Sequence, residues 1–160
     1  MDTINTLTES KKQLFTGGKF LSFFLGKEEY AIEILQVQEI IGLLPITPVP
    51  KMPEYIRGIL NLRGQIVPIM CLRRRFNLPL VQDTSETCII VVEYNGMHTG
   101  IVVDKVSEVV DVKAEQIEEV PDFGNKVNSK FLNGIAKSSG SVKMLINIAE
   151  VIEDGNLELE

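Results

Sequence analysis

Few residues of this chain are equipped to trade protons, attack carbon or hold a metal, and their spacing speaks against catalysis. The single histidine, His98, falls in Asn95-Gly96-Met97-His98-Thr99, a turn in which a solvated imidazole is the ordinary outcome. A Ser-His-Asp triad would have to recruit it, and no Gly-x-Ser-x-Gly elbow accompanies it. Cys71 and Cys88 form neither a Cys-x-x-Cys pair nor a disulfide framework; both lie in apolar runs and read as buried free thiols of a reducing compartment. The neighbouring carboxylates Glu28-Glu29, Glu118-Glu119 and Glu153-Asp154 sit in turns and tails as solvated charge. No glycine-rich phosphate loop, Gly-x-Gly-x-x-Gly run or zinc spacing is present. The expectation is a protein with no catalysis, no cofactor and no metal.

What remains is surface chemistry. Arg63 stands beside Gly64 in a turn, and Arg73, Arg74 and Arg75 follow as a local basic cluster. A small β-barrel binding nucleic acid through these arginines is the alternative reading. No aromatics are interleaved for base stacking, and the net charge of −6 gives no basic footprint. Val37, Ile40, Ile41, Leu43 and Leu44 are more apolar residues than one short strand can bury, so some line a partner patch or an internal seam.

The elements that must position these groups are short strands. Tyr55 to Leu72 reads as two strands around Asn61-Leu62-Arg63-Gly64, with glycine at the positive-φ position a tight hairpin needs. Phe20 to Leu25 and Tyr30 to Ile34 flank a polar turn, and Cys88 to Tyr94 and Thr99 to Val106 flank Asn95-Gly96. Ile34 to Ile41 is a helical turn or a bent strand, and Pro45, Pro48, Pro50 and Pro53 keep the next segment extended. Arg73 to Phe76, Glu115 to Val120 and Ala149 to Ile152 read as single helical turns, and Phe131 to Ile148 as a last hairpin. With no tryptophan and 6% aromatics among 160 residues, the core is expected to be aliphatic. The first nineteen residues lack the apolar core of a signal peptide, and the longest uncharged run is broken by proline, so a cytoplasmic protein without direct membrane insertion is expected.

The chain repeats itself. Tyr30 set against Thr99 pairs Ile32 with Ile101, Val37 with Val106, Glu39 with Glu108 and Ile40 with Val109. Tyr55 set against Phe131 pairs Gly58 with Gly134, Gly64 with Gly140, Ile69 with Leu145 and Leu72 with Ile148. The organisation is therefore a flexible tail (1–18), a first β-barrel unit (20–78), a joint (79–87), a second β-barrel unit (88–152) and an acidic tail (153–160). Units this small close as barrels to remove their edges, and paired barrels can exchange end strands. The repeat also acts as an internal control. Both copies keep the glycines, as a backbone requirement would, whereas Leu62-Arg63 becomes Ser138-Ser139, so the fold does not need an arginine at that turn. Arg57, opposite Asn133, is a weaker case of the same kind.

Arg57-Gly58-Ile59-Leu60-Asn61-Leu62-Arg63-Gly64-Gln65-Ile66-Val67-Pro68-Ile69 with Leu72-Arg73 and Phe76, together with Tyr30-Ala31-Ile32 and Val37-Gln38-Glu39-Ile40-Ile41, resembles the CheW-like family of bacterial chemotaxis coupling proteins. The resemblance spans about residues 20–152. It implies two packed SH3-like five-stranded β-barrels with short helical turns, hence a mainly all-β chain. It implies a noncatalytic adaptor at receptor clusters on the inner face of the membrane. The adaptor joins the cytoplasmic hairpin tip of chemoreceptors to the regulatory domain of the histidine kinase CheA, or serves a related motility pathway. The partner-binding positions carried over are Val37, Glu39, Gly58 and Arg63, with Ile40 and Val106 beside them. Cys71 departs from the family's usual aspartate and is a poor cap for the turn that follows, whereas its repeat mate Asn147 is a good one.

Overall fold

The computed structural model describes residues 17–121, 127–138 and 140–153. The opening hairpin is β1 (Gly17–Leu25) and β2 (Glu28–Glu33), turning at Gly26. A 3-10 turn at Ile34–Gln36 leads into β3 (Val37–Gly42), so the segment expected as helical turn or bent strand is one followed by the other. β4 (Ile56–Leu62) and β5 (Gln65–Cys71) form the Arg63 hairpin, and helix α1 (Leu72–Arg75) follows. The second half runs β6 (Cys88–Tyr94), β7 (Met97–Val103), β8 (Lys105–Lys113), β9 (Ile117–Glu118), β10 (Leu132–Ser138), β11 (Ser141–Ile146) and helix α2 (Ile148–Glu153). Gly17 and Gly18, read as tail from sequence, instead extend β1 opposite Lys113 and Val112. Residues 1–16 and 154–160 lie outside the described residues. The helical turn expected at Glu115 to Val120 is a 3-10 turn at Ala114–Gln116 that gives way to β9.

The strands form two sheets, and the two repeats exchange their opening hairpins. Barrel I has the order β3-β6-β7-β5-β4 and barrel II the order β8-β1-β2-β11-β10-β9. Hairpin β1–β2 thus completes barrel II, and β6–β7 completes barrel I. Two parallel pairings make the exchange, β5 with β7 and β11 with β2, in a register that obeys the repeat: Ile69 faces Gly100 as Leu145 faces Ala31. The antiparallel pairings agree as well. Ile41 faces Ile89 as Val110 faces Phe20, and the ladder slips between Ile56 and Gly58 as it does between Leu132 and Gly134. Each barrel is closed by the chain leaving its edge strand: Thr47 bridges Ile59 in one, and Glu118 faces Ile135 in the other.

Alternation along these strands divides the apolar side chains among three cores. Leu60, Val67, Ile69, Ile89, Val91 and Val102 fill barrel I, and Phe20, Ala31, Val112, Ile117, Ala136 and Leu145 fill barrel II. A larger core lies between the barrels, drawn from both hairpins and from α1 and α2. That seam corrects the expectation of an aliphatic interior. The rings of Phe23, Tyr30, Phe76 and Phe131 form a column through it, with centroids 5.9, 5.7 and 5.3 Å apart.

A charged clamp ties the seam at one end. Asp104, the single residue between β7 and β8, accepts from Arg73 Nε at 3.0 Å and Nη2 at 2.5 Å, and from the Gly26 N–H at 2.7 Å. One carboxylate therefore joins helix α1, the β1–β2 turn and the crossing between the barrels. Burial alone would raise the Asp104 carboxyl, but Arg73 and the Gly26 N–H outweigh it and hold the group below its ordinary value.

Candidate partner-binding surface

The β4–β5 turn places Arg63 and Gly64 both at positive φ, 51° and 87°, the geometry of a type I′ hairpin. The Asn61 side chain accepts from the Gly64 N–H at 2.8 Å and fixes the turn. Asn-Gly is the pair this geometry favours, and the β6–β7 turn uses it, with φ of 52° and 76° at Asn95 and Gly96. An arginine at such a position costs about 1 kcal/mol. Its side chain is 75% exposed and ion-pairs with the Glu39 carboxylate on β3, reaching from the hairpin tip to the edge strand across the mouth of barrel I. Beside this pair Gln38 donates to Glu93 at 2.7 Å, and His98 lies 3.3 Å from the Gln65 side-chain oxygen. His98 therefore belongs to a polar rim.

The other expected site residues are dispersed around this pair. Val37 is half-buried at the start of β3 and packs on the core between the barrels. Ile40, three residues further along, is 44% exposed. Val106 takes on β8 the position that Val37 takes on β3, facing Phe23 as Val37 faces Val92, so it belongs to barrel II. Gly58 is buried. A Cβ there would lie 2.2 Å from the Thr47 carbonyl oxygen, so the glycine is what lets the chain close barrel I. The structure thus brings Glu39 and Arg63 into contact, keeps Val37 and Ile40 on the same strand as Glu39, and places Gly58 on β4 and Val106 on β8.

The basic cluster dissolves into separate internal contacts. Arg73 is spent on the clamp and on the Pro79 carbonyl at 2.6 Å, and Arg74 lies 3.7 Å from the Glu54 carboxylate. Arg75 donates to the Val151 and Glu150 carbonyls at 2.9 and 3.2 Å, and its guanidinium stacks on Tyr55 and Phe131. Arg57 binds Asp83 through two bonds of 3.2 and 2.5 Å, tethering the joint between the repeats; Asn133 has no such joint to hold. A groove of about 440 Å³ beside the joint is lined by Arg57, Arg73 and Arg74 together with Glu54, Asp83 and Asp104, so it is electrostatically self-neutralised. Sequence neighbours suggested one cationic patch because the partners lie far along the chain.

Burial pushes the Cys88 thiol up, away from the thiolate form. Among the described residues no group of three His, Cys, Asp or Glu side chains could hold a metal ion, and no helix is long and apolar enough to cross a membrane. Cys71 gives no side-chain cap to α1, whereas Asn147 Oδ1 accepts from the Glu150 N–H at 3.3 Å in α2.

Comparison with known proteins decides the lineage. The model of the family described as CheW-like domain matches residues 19–156. The chain belongs to the CheW-like family. Chemotaxis protein CheW of Klebsiella aerogenes is 38% identical over 143 residues, covering 89% of this chain and 86% of that protein. Chemotaxis protein CheW of Helicobacter pylori is 30% identical over 159 residues, covering 94% and 96%. The crystal structure of the scaffolding protein TtCheW from Thermoanaerobacter tengcongensis superposes with a TM-score of 0.79 at 33% identity, covering 84% of this chain and 87% of that one. The paired barrels are thus the SH3-like barrels of a chemotaxis scaffold family, and the CheW-like pattern of short strands and glycine turns is what its sequence repeats.

Proposed function

We propose that this protein is a cytoplasmic, noncatalytic adaptor that couples the helical hairpin tip of chemoreceptors to the regulatory domain of the histidine kinase CheA. The observation that carries the reading is Arg63. An exposed arginine occupies a turn whose geometry favours asparagine, in a CheW-like chain whose second repeat has serines there. Residues kept against local conformational preference mark functional surfaces. Glu39 holds the guanidinium over the mouth of barrel I, and Val37 and Ile40 supply aliphatic contact from the same strand. Aliphatic contact gives such a surface affinity, and a fixed charge gives it orientation.

The test is reconstitution of the chain with a receptor fragment and kinase, with kinase activity as the readout. Arg63→Glu keeps the fold, since the second repeat manages without this charge, and loses binding to at least one partner. Unchanged capture of both partners by folded Arg63→Glu protein would sink the assignment. Gly58→Asp behaves differently: it lowers the melting temperature before binding is measured, because the side chain collides with Thr47. A wild-type melt for Gly58→Asp contradicts this.

A further inference from the structure

Neither repeat closes a barrel from its own strands. Barrel I joins β3, β4 and β5 of the first repeat to β6 and β7 of the second, and barrel II joins β8 to β11 of the second to β1 and β2 of the first. The joint 79–87 is the one covalent link between them. The strand ladders have the same register in both barrels, Ile69 facing Gly100 as Leu145 faces Ala31, so backbone pairing alone would accept two first repeats, or two second repeats, from different chains equally well. Side chains must decide which halves meet.

Two ion pairs do so, and each takes one member from each repeat. The Lys143 side chain, 3% exposed on β11, donates to Ser141 Oγ at 2.8 Å and lies 3.6 Å from Oε1 of Glu29, which β2 brings alongside it. Arg73, 11% exposed on α1, holds Asp104. The repeat sets Val67 where Lys143 stands, His98 for Glu29, Ala149 for Arg73 and Leu35 for Asp104. Two first repeats together would put Glu29 over Val67 and Arg73 against Leu35. Two second repeats would leave Lys143 buried beside His98, and Asp104 beside Ala149. A buried charge stripped of its partner is strongly destabilising, whereas an intact pair adds little over an apolar filling, so such pairs act on the choice of partner more than on stability. Volume points the same way. A Cβ at Gly100 would lie 2.5 Å from Ile69 Cδ1, whereas Leu145 accommodates the buried Ala31 at that place, so the β1–β2 hairpin is too bulky for barrel I.

We propose that the Lys143–Glu29 and Arg73–Asp104 pairs make the two repeats specific for one another, so that a first repeat pairs with a second repeat and not with its like in another copy of the chain. The first repeat gives the anion to one pair and the cation to the other, so a pairing of like repeats fails at both. The inference is independent of the adaptor reading. It gives a buried lysine a purpose at a position where the other barrel is filled by valine.

The test reverses one pair across two chains. Glu29→Lys sets two cations together within a chain and Lys143→Glu sets two anions together. Each variant mismatches its own repeats, but the first repeat of either matches the second repeat of the other. The full-length variants, one of them isotope-labelled, are unfolded in denaturant, refolded separately and as an equal mixture, and followed by native mass spectrometry and thermal melting. Alone, each should melt below wild type. Mixed, they should give a dimer with one chain of each, the repeats traded across the joint, in roughly tenfold excess over either homodimer and melting above both variants. Wild-type melts for both single variants overturn the proposal, and so does a mixture of folded chains that holds only the species of the separate samples. Should neither reversed chain refold even in the mixture, Glu29→His with Lys143→Val decides, because it gives barrel II the residues of barrel I. That variant should melt at least as high as wild type and, refolded at high concentration, yield about twofold less monomer, the rest in larger species. Wild-type recovery of monomer overturns the proposal.

Discussion

The two ends of the seam between the barrels are equivalent in the repeat and opposite in construction. At one end Asp104 gathers Arg73 and Gly26 into a charged clamp. At the other the repeat puts Leu35 in place of Asp104, Ala149 in place of Arg73 and Asn95 in place of Gly26. No carboxylate stands at the position equivalent to Asp104, and Leu35 is 89% exposed on its 3-10 turn. One end is built to hold the barrels together and the other presents an apolar side chain to solvent. A duplicated fold needs its seam fastened only once, which leaves the second copy of the fastening position free to diverge.

Breaking the clamp is the strongest way to test that contrast. Asp104→Ala strands the largely buried Arg73 guanidinium and should lower the unfolding free energy by about 3 kcal/mol, read by chemical denaturation at neutral pH. Because the folded carboxyl is held below its ordinary value, its contribution is complete above about pH 4 and fades as pH falls toward the folded value. The gap between wild type and Asp104→Ala should therefore narrow in acid. A gap that is constant from pH 7 to pH 2 would show that the charge is not what Asp104 contributes.

A smaller effect separates the two short helices that end the repeats. Asn147→Ala removes the α2 cap and should cost about 1 kcal/mol, whereas Cys71→Asn supplies α1 with the cap it lacks and should gain a similar amount. Equal and opposite shifts in urea midpoint are the expected readout; no change for Cys71→Asn means that α1 is held by Arg73 and Leu72 alone. The smallest effect is expected from Leu35→Asp combined with Ala149→Arg, which writes the clamp into the open end. An exposed pair there should gain less than about 1 kcal/mol. A gain as large as the loss in Asp104→Ala would mean the two ends are interchangeable after all.

Much of this architecture was legible in the residues because it is local. Alternation, turn glycines and the Asn95-Gly96 pair mark hairpins whose strands are neighbours in sequence, and the repeat fixed which hairpins correspond. That paired barrels can exchange strands was legible, but which hairpins exchange was not, because β5 with β7 and β2 with β11 are parallel pairs between remote segments and buried strands of either repeat present the same apolar face. The candidate site divides the same way. Arg63 stood out through its serine counterparts, while its contact with Glu39 depends on barrel closure. Gly58 was expected at the partner surface and is buried against Thr47, a contact that leaves no trace in the spacing of residues. Lys143 drew no attention in the chain, although the repeat sets it opposite Val67, and that substitution of a charge for a core valine was the available signal.

The hairpin exchange also sets a timetable for synthesis. The β1–β2 hairpin leaves the ribosome early, yet β11, its parallel neighbour, is the last strand made. Lys143 follows Glu29 by 114 positions, on the order of ten seconds of translation. Through that interval β2 carries an unpaired edge, open to any strand that meets it, and neither half of the nascent chain can be finished on its own.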